Sequence, residues 1–333
     1  MTIRDRTPQS TETVGGGELI PDEIRERIVF HGETAPYHRR LQRDLGIDYA
    51  DLQTWADLRS NFDYLDDDLL RSIDPYKLVP EEYGKGDLVR SQSSGTTGRI
   101  KEIFWHEDDV RENVDYVVAR LVDIHVPENA HWVATVTPNP VLKRMIRGLA
   151  ARYNGTIETI EVDPTPIKQA LQSGDRSTIA TALNPVADRI REIFERNGVA
   201  VYEDIAPLMQ YVSSTLPADC RDRVELALIG GVGTDDDTIE TITEKGLPNA
   251  TLTGWYGDYM NGSSMMRRPE TLEYLPQEPN VRLEFAIQPT STPSFQSVTL
   301  AKSLRTLLDE AFSSRTAASA TSEPGYESMT ATE

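Results

Sequence analysis

The sequence contains few of the residues on which several classes of protein depend. It has a single cysteine, Cys220, so no disulfide can form within the chain, which is consistent with a reducing compartment. One cysteine and five scattered histidines offer no metal-ligand spacing. The N-terminus has no apolar signal core, and no apolar run is long enough to span a membrane. We therefore expect a soluble, cytoplasmic protein.

Lysine is also scarce: seven lysines stand against 27 arginines, and the formal net charge is −20 at pH 7. This balance provides no basic face and argues against nucleic-acid binding. The acidic residues are spread along the chain, as in proteins that stay dissolved in molar salt, so we interpret the protein as halophilic; an ordinary acidic cytosolic protein is the alternative. A chain of 333 residues can bury a large core and would hold one large domain or two small ones.

The most informative segment is residues 91–101, with the sequence Ser-Gln-Ser-Ser-Gly-Thr-Thr-Gly-Arg-Ile-Lys. Its two glycines allow a tight turn and a close approach of the backbone to a ligand, while the hydroxyls and Lys101 supply donors and a positive charge. The flanking residues 87–90 and 102–105 have strand character, so the segment predicts a glycine-rich hairpin loop that holds a polyphosphate. It lacks the spacing of a Walker A loop. A flexible surface loop is the alternative.

Beyond this segment, predicted helices alternate with short apolar strands. The helices are predicted at 107–122, 140–153, 178–197 and 206–216, and the strands at 132–136, 156–162, 199–202 and 224–229. This alternation predicts an α/β fold with layered, mostly parallel sheets flanked by helices. Ahead of the glycine-rich loop the sequence predicts further helices, at 20–30, 34–45, 52–62 and 65–73.

The string from Ser93 to Lys101 resembles the phosphate loop of the adenylate-forming superfamily, which includes acyl-CoA synthetases, luciferases and the adenylation domains of peptide synthetases. Ile100 stands where that family has proline, and the other positions match. The resemblance implies the N-terminal, AMP-binding domain of such an enzyme, with ATP held by the loop. The residues that it implies for this role are Ser93, Ser94, Gly95, Thr96, Thr97, Gly98 and Lys101.

A second motif lies between residues 227 and 262. An apolar run from Ala227 ends in glycines, an acidic helix is predicted at 235–244, and a strand and loop follow from Leu252. In the resembled family this order forms the adenine and metal side of the site, and the spacing is similar to that of the phenylacetate-CoA ligase branch. An aromatic-rich turn of the core is the alternative. The residues that the resemblance implies for the adenine are Gly230, Gly231, Val232, Tyr256 and Gly257.

The chain departs from the family at the expected metal position. The Thr and Glu of the family's Tyr-Gly-x-Thr-Glu fall on Tyr259 and Met260. A thioether does not serve Mg²⁺, which prefers oxygen ligands. Asp258 is the nearest carboxylate and is therefore our candidate ligand.

A pocket for the acyl substrate is expected at the loop that follows strand 132–136, because ligands collect beyond the ends of strands in open α/β sheets. The resemblance implies that Pro138 and Asn139 line it, together with Trp255. The nearby basic residues of helix 140–153 either attract coenzyme A or form one solvated helix face; they are Lys143, Arg144 and Arg147. The histidines, including His106 and His131, are expected to be surface or capping residues.

Residues 291–333 differ in composition from the rest of the chain, since 16 of these 43 residues are Ser or Thr and only five are acidic. Two interpretations remain open: a reading frame lost near residue 286, or a disordered Ser/Thr-rich tail. The expected domains are thus a disordered segment at 1–19, the AMP-binding domain at 20–285 and an atypical tail at 286–333. No equivalent of the family's mobile C-terminal domain, which carries a catalytic lysine, is recognisable before Glu333, and catalytic residues stay unassigned.

The resemblance implies ATP-dependent activation of a small carboxylate to an acyl-adenylate, with Mg²⁺, followed by transfer to CoA or another acceptor. Protein groups in such a reaction position the reactants and neutralise charge. Because of Met260 and the missing C-terminal domain, two alternatives stay open. One is a catalytically incomplete, nucleotide-binding remnant, and the other is a split enzyme completed by a partner protein that carries the C-terminal domain.

Overall fold

The computed structural model describes residues 13–14, 17–62, 67–92, 101–163, 176–230, 234–258, 262–267 and 274–276. Within these residues a helical N-terminal region is followed by a two-stranded hairpin and then by a sheet with helices on both faces. The α/β class predicted from the alternation of helices and strands is confirmed.

The N-terminal region contains the four predicted helices: α1 (Asp22–Thr34), α2 (Pro36–Leu45), α3 (Trp55–Asn61) and α4 (Asp67–Ser72). Helix α2 ends at Gly46, whose φ of 68° is the left-handed conformation that glycine adopts without strain. Helix α3 begins with a capping box between Thr54 and Asp57.

Within the N-terminal segment 1–19, the structure describes residues 13–14 and 17–19. Two short strands, β1 (Thr13–Val14) and β2 (Gly17–Glu18), pair antiparallel there, and Leu19 forms a bridge with Thr54. Backbone hydrogen bonds to α3's cap region hold this segment, which polar composition alone does not reveal.

The hairpin predicted around the glycine-rich loop is confirmed. Strand β3 (Leu88–Gln92) pairs antiparallel with β4 (Glu102–His106), and Gln92 lies opposite Glu102 at the loop end. The hairpin packs against helices α5 (Glu107–Arg120) and α6 (Pro140–Arg152) through one apolar cluster. Its buried members are Val89, Trp105, Val110, Val114, Val141 and Met145.

The main sheet has five parallel strands: β5 (His131–Val136), β6 (Thr156–Glu161), β7 (Val199–Asp204), β8 (Leu226–Ile229) and β9 (Thr251–Asp258). Two antiparallel strands, β10 (Gly262–Arg267) and β11 (Tyr274–Pro276), extend one side, so the order is β11-β10-β9-β8-β7-β5-β6. Every residue of β8 is buried, as expected of a parallel strand covered on both faces.

Two apolar clusters separate the sheet from its helices. On one face, Trp132, Val201 and Leu228 pack with residues of α5 and α6. On the other face, Val133 and Tyr202 pack with five helical segments of the described chain. These segments are α7 (Arg176–Arg196), α8 (Ala206–Thr215), a short helix α9 (Ala218–Arg221), α10 (Asp236–Glu240) and a π-helix (Thr241–Gly246).

The end of strand β7 and the acidic helix after β8 differ from the sequence prediction. Strand β7 continues through Glu203 and Asp204, although the strand was predicted to end at Tyr202. The acidic helix predicted at 235–244 ends at Glu240 and continues as a π-helix, after an N-cap formed by Asp235.

None of the described helices combines the length and apolarity that crossing a membrane requires.

Candidate functional site

The predicted site elements converge on the carboxyl ends of the parallel strands. The loop after β5, Gly230 after β8 and the last residues of β9 all leave the sheet at this edge. In open α/β sheets the crevice outside the carboxyl ends of the strands is where ligands bind.

A hydrogen bond connects the hairpin to the loop that follows β5. Asn139 Nδ2 donates to Ser91 Oγ over 3.1 Å, and the Ser91 side chain is completely buried. Asn139 Oδ1 at the same time accepts from the backbone N–H of Val141 over 3.0 Å, which caps α6. Pro140 at the first helical position suits this start because it needs no hydrogen-bond partner for its nitrogen. Asn139 therefore fixes the strand that leads to the glycine-rich loop against the start of α6.

A close approach connects the residue after β8, Gly230, to Trp255 within β9. A Cβ atom at Gly230 would lie 3.0 Å from Nε1 of Trp255, closer than nearly all real contacts. Trp255 is 9% exposed and belongs to the apolar cluster that also contains Val136 at the end of β5. Glycine at 230 thus lets the backbone lie against the indole ring.

The remaining predicted residues divide into two groups. Lys101 is half-buried and immediately precedes β4, and Pro138 is exposed in the loop before Asn139. Tyr256, Gly257 and Asp258 are the last three residues of β9. There Gly257 pairs with Ser263 of β10, and Asp258 pairs with Gly262. The others lie outside the described residues: Ser93, Ser94, Gly95, Thr96, Thr97, Gly98, Gly231 and Val232.

The predicted Mg²⁺ ligand, Asp258, lies at the end of β9. Asp258 ends β9 at the expected edge of the sheet, and a carboxylate is the oxygen ligand that Mg²⁺ prefers. Among the residues that the structure describes, no group of three or more His, Cys, Asp and Glu side chains could hold a metal ion.

The basic residues of α6 are engaged with neighbouring polar side chains. Lys143 forms an ion pair with Glu161 of β6, and Arg144 forms one with Glu107 of α5. Arg147 Nη2 donates to Thr159 Oγ1 over 3.4 Å. These contacts favour the solvated, ion-paired helix face over a site that attracts coenzyme A.

The two histidines singled out in the sequence have structural contacts. His106 is the N-cap of α5 and accepts from the backbone N–H of Asp108 over 3.3 Å, so its predicted capping role is confirmed. His131 begins β5, where Nδ1 lies 2.9 Å from Thr156 Oγ1 and Nε2 lies 3.4 Å from Glu158.

The sequence analysis missed a buried carboxyl group at the end of β7. Asp204 is 1% exposed, and its Oδ2 accepts from the Tyr202 hydroxyl over 2.6 Å. Its Oδ1 accepts from Thr135 Oγ1 and, over 2.8 Å, from the backbone N–H of Ile205. Burial raises the pKa of Asp204 to about 7, against the lowering effect of these three donors. The network links the ends of β5 and β7.

Glu203, the residue before Asp204, is buried without comparable contacts. It is 5% exposed, and its Oε2 accepts no hydrogen bond in the part of the chain that the structure describes. Burial, followed by the nearby charge of Asp204, raises the pKa of Glu203 well above its ordinary value. Leaving a buried acceptor unsatisfied typically costs about 1–3 kcal/mol. Two adjacent acids inside an apolar strand were the sequence signal that could have identified this position.

Comparison with known proteins finds similarity in structure only. No protein-family model matches the sequence, and neither does any curated protein. Among solved structures, 2-hydroxyisobutyryl-CoA ligase in an open conformation, in complex with 2-HIB-AMP and CoA, aligns with a TM-score of 0.58 at 10% identity. The alignment covers 77% of this chain and 57% of that chain.

The same ligase in its thioesterification state, again with 2-HIB-AMP and CoA, aligns with a TM-score of 0.58 at 12% identity over 77% of this chain and 52% of that one. This chain therefore spans little more than half of the ligase's length. At such identities the similarity shows the fold alone, and that fold is the N-terminal domain of adenylate-forming enzymes.

Proposed function

We propose that this chain activates a small carboxylate with ATP to give an acyl-adenylate, and that the acyl group then passes to CoA or another acceptor, in the manner of phenylacetate-CoA ligases. The observation that carries the proposal is the hydrogen bond between Asn139 and Ser91. It joins the strand leading into the Ser/Thr/Gly-rich loop to the loop after β5, at the carboxyl edge of a sheet with the adenylate-forming fold. Two motifs that are 48 residues apart in sequence are thereby brought to one edge.

In the proposed reaction a carboxylate oxygen attacks the α-phosphorus of ATP, and pyrophosphate leaves. The thiol of CoA then attacks the acyl carbonyl, and AMP leaves. The protein positions the reactants and neutralises charge, without a covalent bond to either. We assign the β- and γ-phosphates to the loop from Ser93 to Gly98 and to Lys101, the adenine to Gly230, Gly231, Val232, Tyr256 and Gly257, and the acyl group to Pro138, Asn139 and Trp255. Mg²⁺, with Asp258 as its candidate ligand, would neutralise phosphate charge.

A second candidate is a nucleotide-binding module that needs a separate protein for the second half of the reaction. Met260 at the family's glutamate position favours it. On either proposal the nucleotide site is the same, so ATP binding is the property to measure first.

We place the protein in the cytoplasm of a halophile, which sets the conditions of the assay.

The test is calorimetric titration of ATP into the chain in molar KCl. Lys101→Ala should weaken binding by about 1–3 kcal/mol, the scale of a hydrogen bond to a charged group. Lys245→Ala is the matched control, because Lys245 is exposed in the π-helix. That helix covers one face of the main sheet, whereas the hairpin that contains the loop packs against α5 and α6 on the other face. It removes the same charge and should leave the affinity unchanged.

Saturable binding that is weakened in the Lys101 variant and unchanged in the Lys245 variant would support the nucleotide site. If a folded wild-type chain binds no ATP, both the ligase and the binding-module proposals fail. Equal losses in the two variants would mean that the general charge of the protein, rather than the loop, governs binding.

A further inference from the structure

Asp204 lies between two of the segments to which ligand contacts are assigned. It ends β7, which lies between β5 and β8 in the main sheet. Its Oδ1 accepts from Thr135 Oγ1 of β5, and its backbone carbonyl accepts from the N–H of Gly230 over 3.3 Å. The first contact holds the strand that runs into the loop assigned to the acyl group. The second holds the first residue assigned to the adenine.

The contact with Thr135 also leads to the glycine-rich loop. Thr135 is followed, in the loop after β5, by Asn139, whose side chain donates to Ser91 of the hairpin. Hydrogen bonds on the two sides of Asp204 therefore connect the elements that carry the assigned phosphate, acyl and adenine contacts. A change at this one carboxyl should shift these elements relative to one another, because interiors this closely packed transmit small displacements.

We propose that Asp204 is a positioning residue of the ATP site, which holds the ends of β5 and β8 at the separation that the bound nucleotide requires. This inference rests on the proposed function, because it takes the glycine-rich loop and the segment that begins at Gly230 to be two sides of that site. Asp204 itself touches neither ATP nor the acyl group. It acts through Thr135 and Gly230.

The neutral form of the carboxyl keeps both connections. A proton on Oδ2 can be donated to the hydroxyl oxygen of Tyr202, 2.6 Å away, while Oδ1 still accepts from Thr135 and from the N–H of Ile205. Asparagine at this position can form the same bonds, since its amide nitrogen donates in place of Oδ2–H and its oxygen accepts in place of Oδ1. Asp204→Asn is therefore a mimic of the neutral form.

Ionisation of Asp204 should weaken ATP binding. Burial raises the pKa of Asp204 to about 7, so the carboxyl loses its proton as the pH rises through neutrality. Among the described residues, the titratable groups beside it are Tyr202 and Glu203 of the same strand, and neither is positive. Thr135 of β5, Ile229 of β8 and the first turn of α8 have no titratable side chain. The negative charge then repels phosphates bound at this edge, and salt screens a buried charge only in part.

The first experiment compares ATP affinity in two variants of matched stability. Thr135→Val removes a hydroxyl that donates to Asp204, whereas Tyr211→Phe removes one that donates to Asn184, between α8 and α7, over 3.1 Å. Each variant loses one hydroxyl hydrogen bond, so their free energies of unfolding should fall by similar amounts. In calorimetric titration in molar KCl, Thr135→Val should bind ATP about threefold to tenfold more weakly than the wild type. Tyr211→Phe should bind it equally well.

The second experiment repeats the titration between pH 6 and 8 with the wild type, Asp204→Asn and Asp204→Ala. The γ-phosphate of ATP also titrates in this range, and the ratio of two proteins' affinities at each pH removes its effect. Asp204→Asn should match the wild type at pH 6 and bind ATP about threefold or more tightly at pH 8. Asp204→Ala, which loses the bond to Thr135, should bind more weakly than the wild type at pH 6. Thermal unfolding checks that each variant is folded; if Asp204→Ala is not, the other variants decide the matter.

The outcomes separate this inference from the function on which it rests. Equal ATP affinities of Thr135→Val and Tyr211→Phe overturn the positioning role and leave the nucleotide site standing. A constant ratio between Asp204→Asn and the wild type from pH 6 to 8 overturns it as well. If the folded wild type binds no ATP at any pH, the proposed function and this inference fail together.

Discussion

At the end of β7, two neighbouring carboxyl groups face opposite sides of the sheet and have opposite surroundings. Asp204 accepts hydrogen bonds from a tyrosine, a threonine and a backbone N–H, on the face closed by α7 and α8. Glu203 is buried to a similar degree on the other face, yet its Oε2 accepts no hydrogen bond from the described residues. The carboxyl group of Asp204 therefore joins two strands by hydrogen bonds, whereas that of Glu203 has an acceptor without a donor among the described residues.

This difference shows how burial is to be interpreted at a strand end. A buried carboxyl with its donors in place stabilises the junction between two strands, here β5 and β7. A buried carboxyl without donors costs stability, and natural sequences retain such a cost mainly where function requires it. Substitutions at the two positions should accordingly have opposite effects, and two measurements test this.

The largest expected effect is the pH dependence that Asp204 imposes on stability. Its pKa is raised from 3.8 to about 7 in the folded state, so the folded protein holds this proton where the unfolded chain releases it. Stability from this group is therefore fully present below about pH 4 and is lost as the pH rises through 7. The loss amounts to at most about 4 kcal/mol over that window.

Urea unfolding of the wild type and of Asp204→Asn between pH 4 and 8 measures this contribution. The general repulsion in a chain of net charge −20 affects both proteins, so the difference between their free energies of unfolding isolates Asp204. That difference should shrink with rising pH. Parallel profiles would show that the carboxyl titrates as an ordinary aspartate and that its surroundings are not as closed as described.

The next effect is the contrast between Asp204→Ala and Glu203→Leu. Removing Asp204 leaves Tyr202, Thr135 and the N–H of Ile205 without their acceptor, and should cost about 2–3 kcal/mol in the free energy of unfolding. Replacing Glu203 by leucine removes an unsatisfied acceptor from apolar surroundings and should be neutral or stabilising by about 1 kcal/mol.

Denaturant unfolding of both variants at pH 5 provides the measurement. A loss at Glu203→Leu as large as that at Asp204→Ala would contradict the comparison, because it would mean that Glu203 has strong partners of its own in the folded protein.

The helices and strands at the carboxyl edge of the sheet were largely predictable from the sequence, but the contacts between them were not. The apolar run ending at Ile229 and the Asn139–Pro140 start of α6 are local patterns, and both elements were predicted close to their observed bounds. The end of β7 was not, because Glu and Asp are depleted in strands and the local pattern stops at Tyr202. The donor that makes Asp204 acceptable, Thr135, lies 69 residues earlier in the chain.

The same limit applies to the site. The phosphate-loop motif predicted a ligand from the sequence because its composition is a local property. The anchoring of this loop through Ser91 and Asn139 joins residues 48 apart. No periodicity or propensity carries that information. The unfilled acceptor of Glu203 is likewise a property of three adjacent strands, so only the tertiary structure distinguishes it from its neighbour Asp204.

The smallest expected effect concerns how the hairpin is held at the site face. Asn139→Ala removes both the cap of α6 and the hydrogen bond to Ser91, and should lower the free energy of unfolding by about 1–2 kcal/mol. Ser91→Ala leaves the cap intact and should cost about 1 kcal/mol or less. Both variants should weaken ATP binding by a similar, few-fold factor if this hydrogen bond positions the glycine-rich loop. Because they then remove the same contact, the double variant should bind ATP no more weakly than Asn139→Ala alone. Additive losses in affinity would mean that Asn139 and Ser91 act on the loop separately. Contacts other than their hydrogen bond would then position the hairpin.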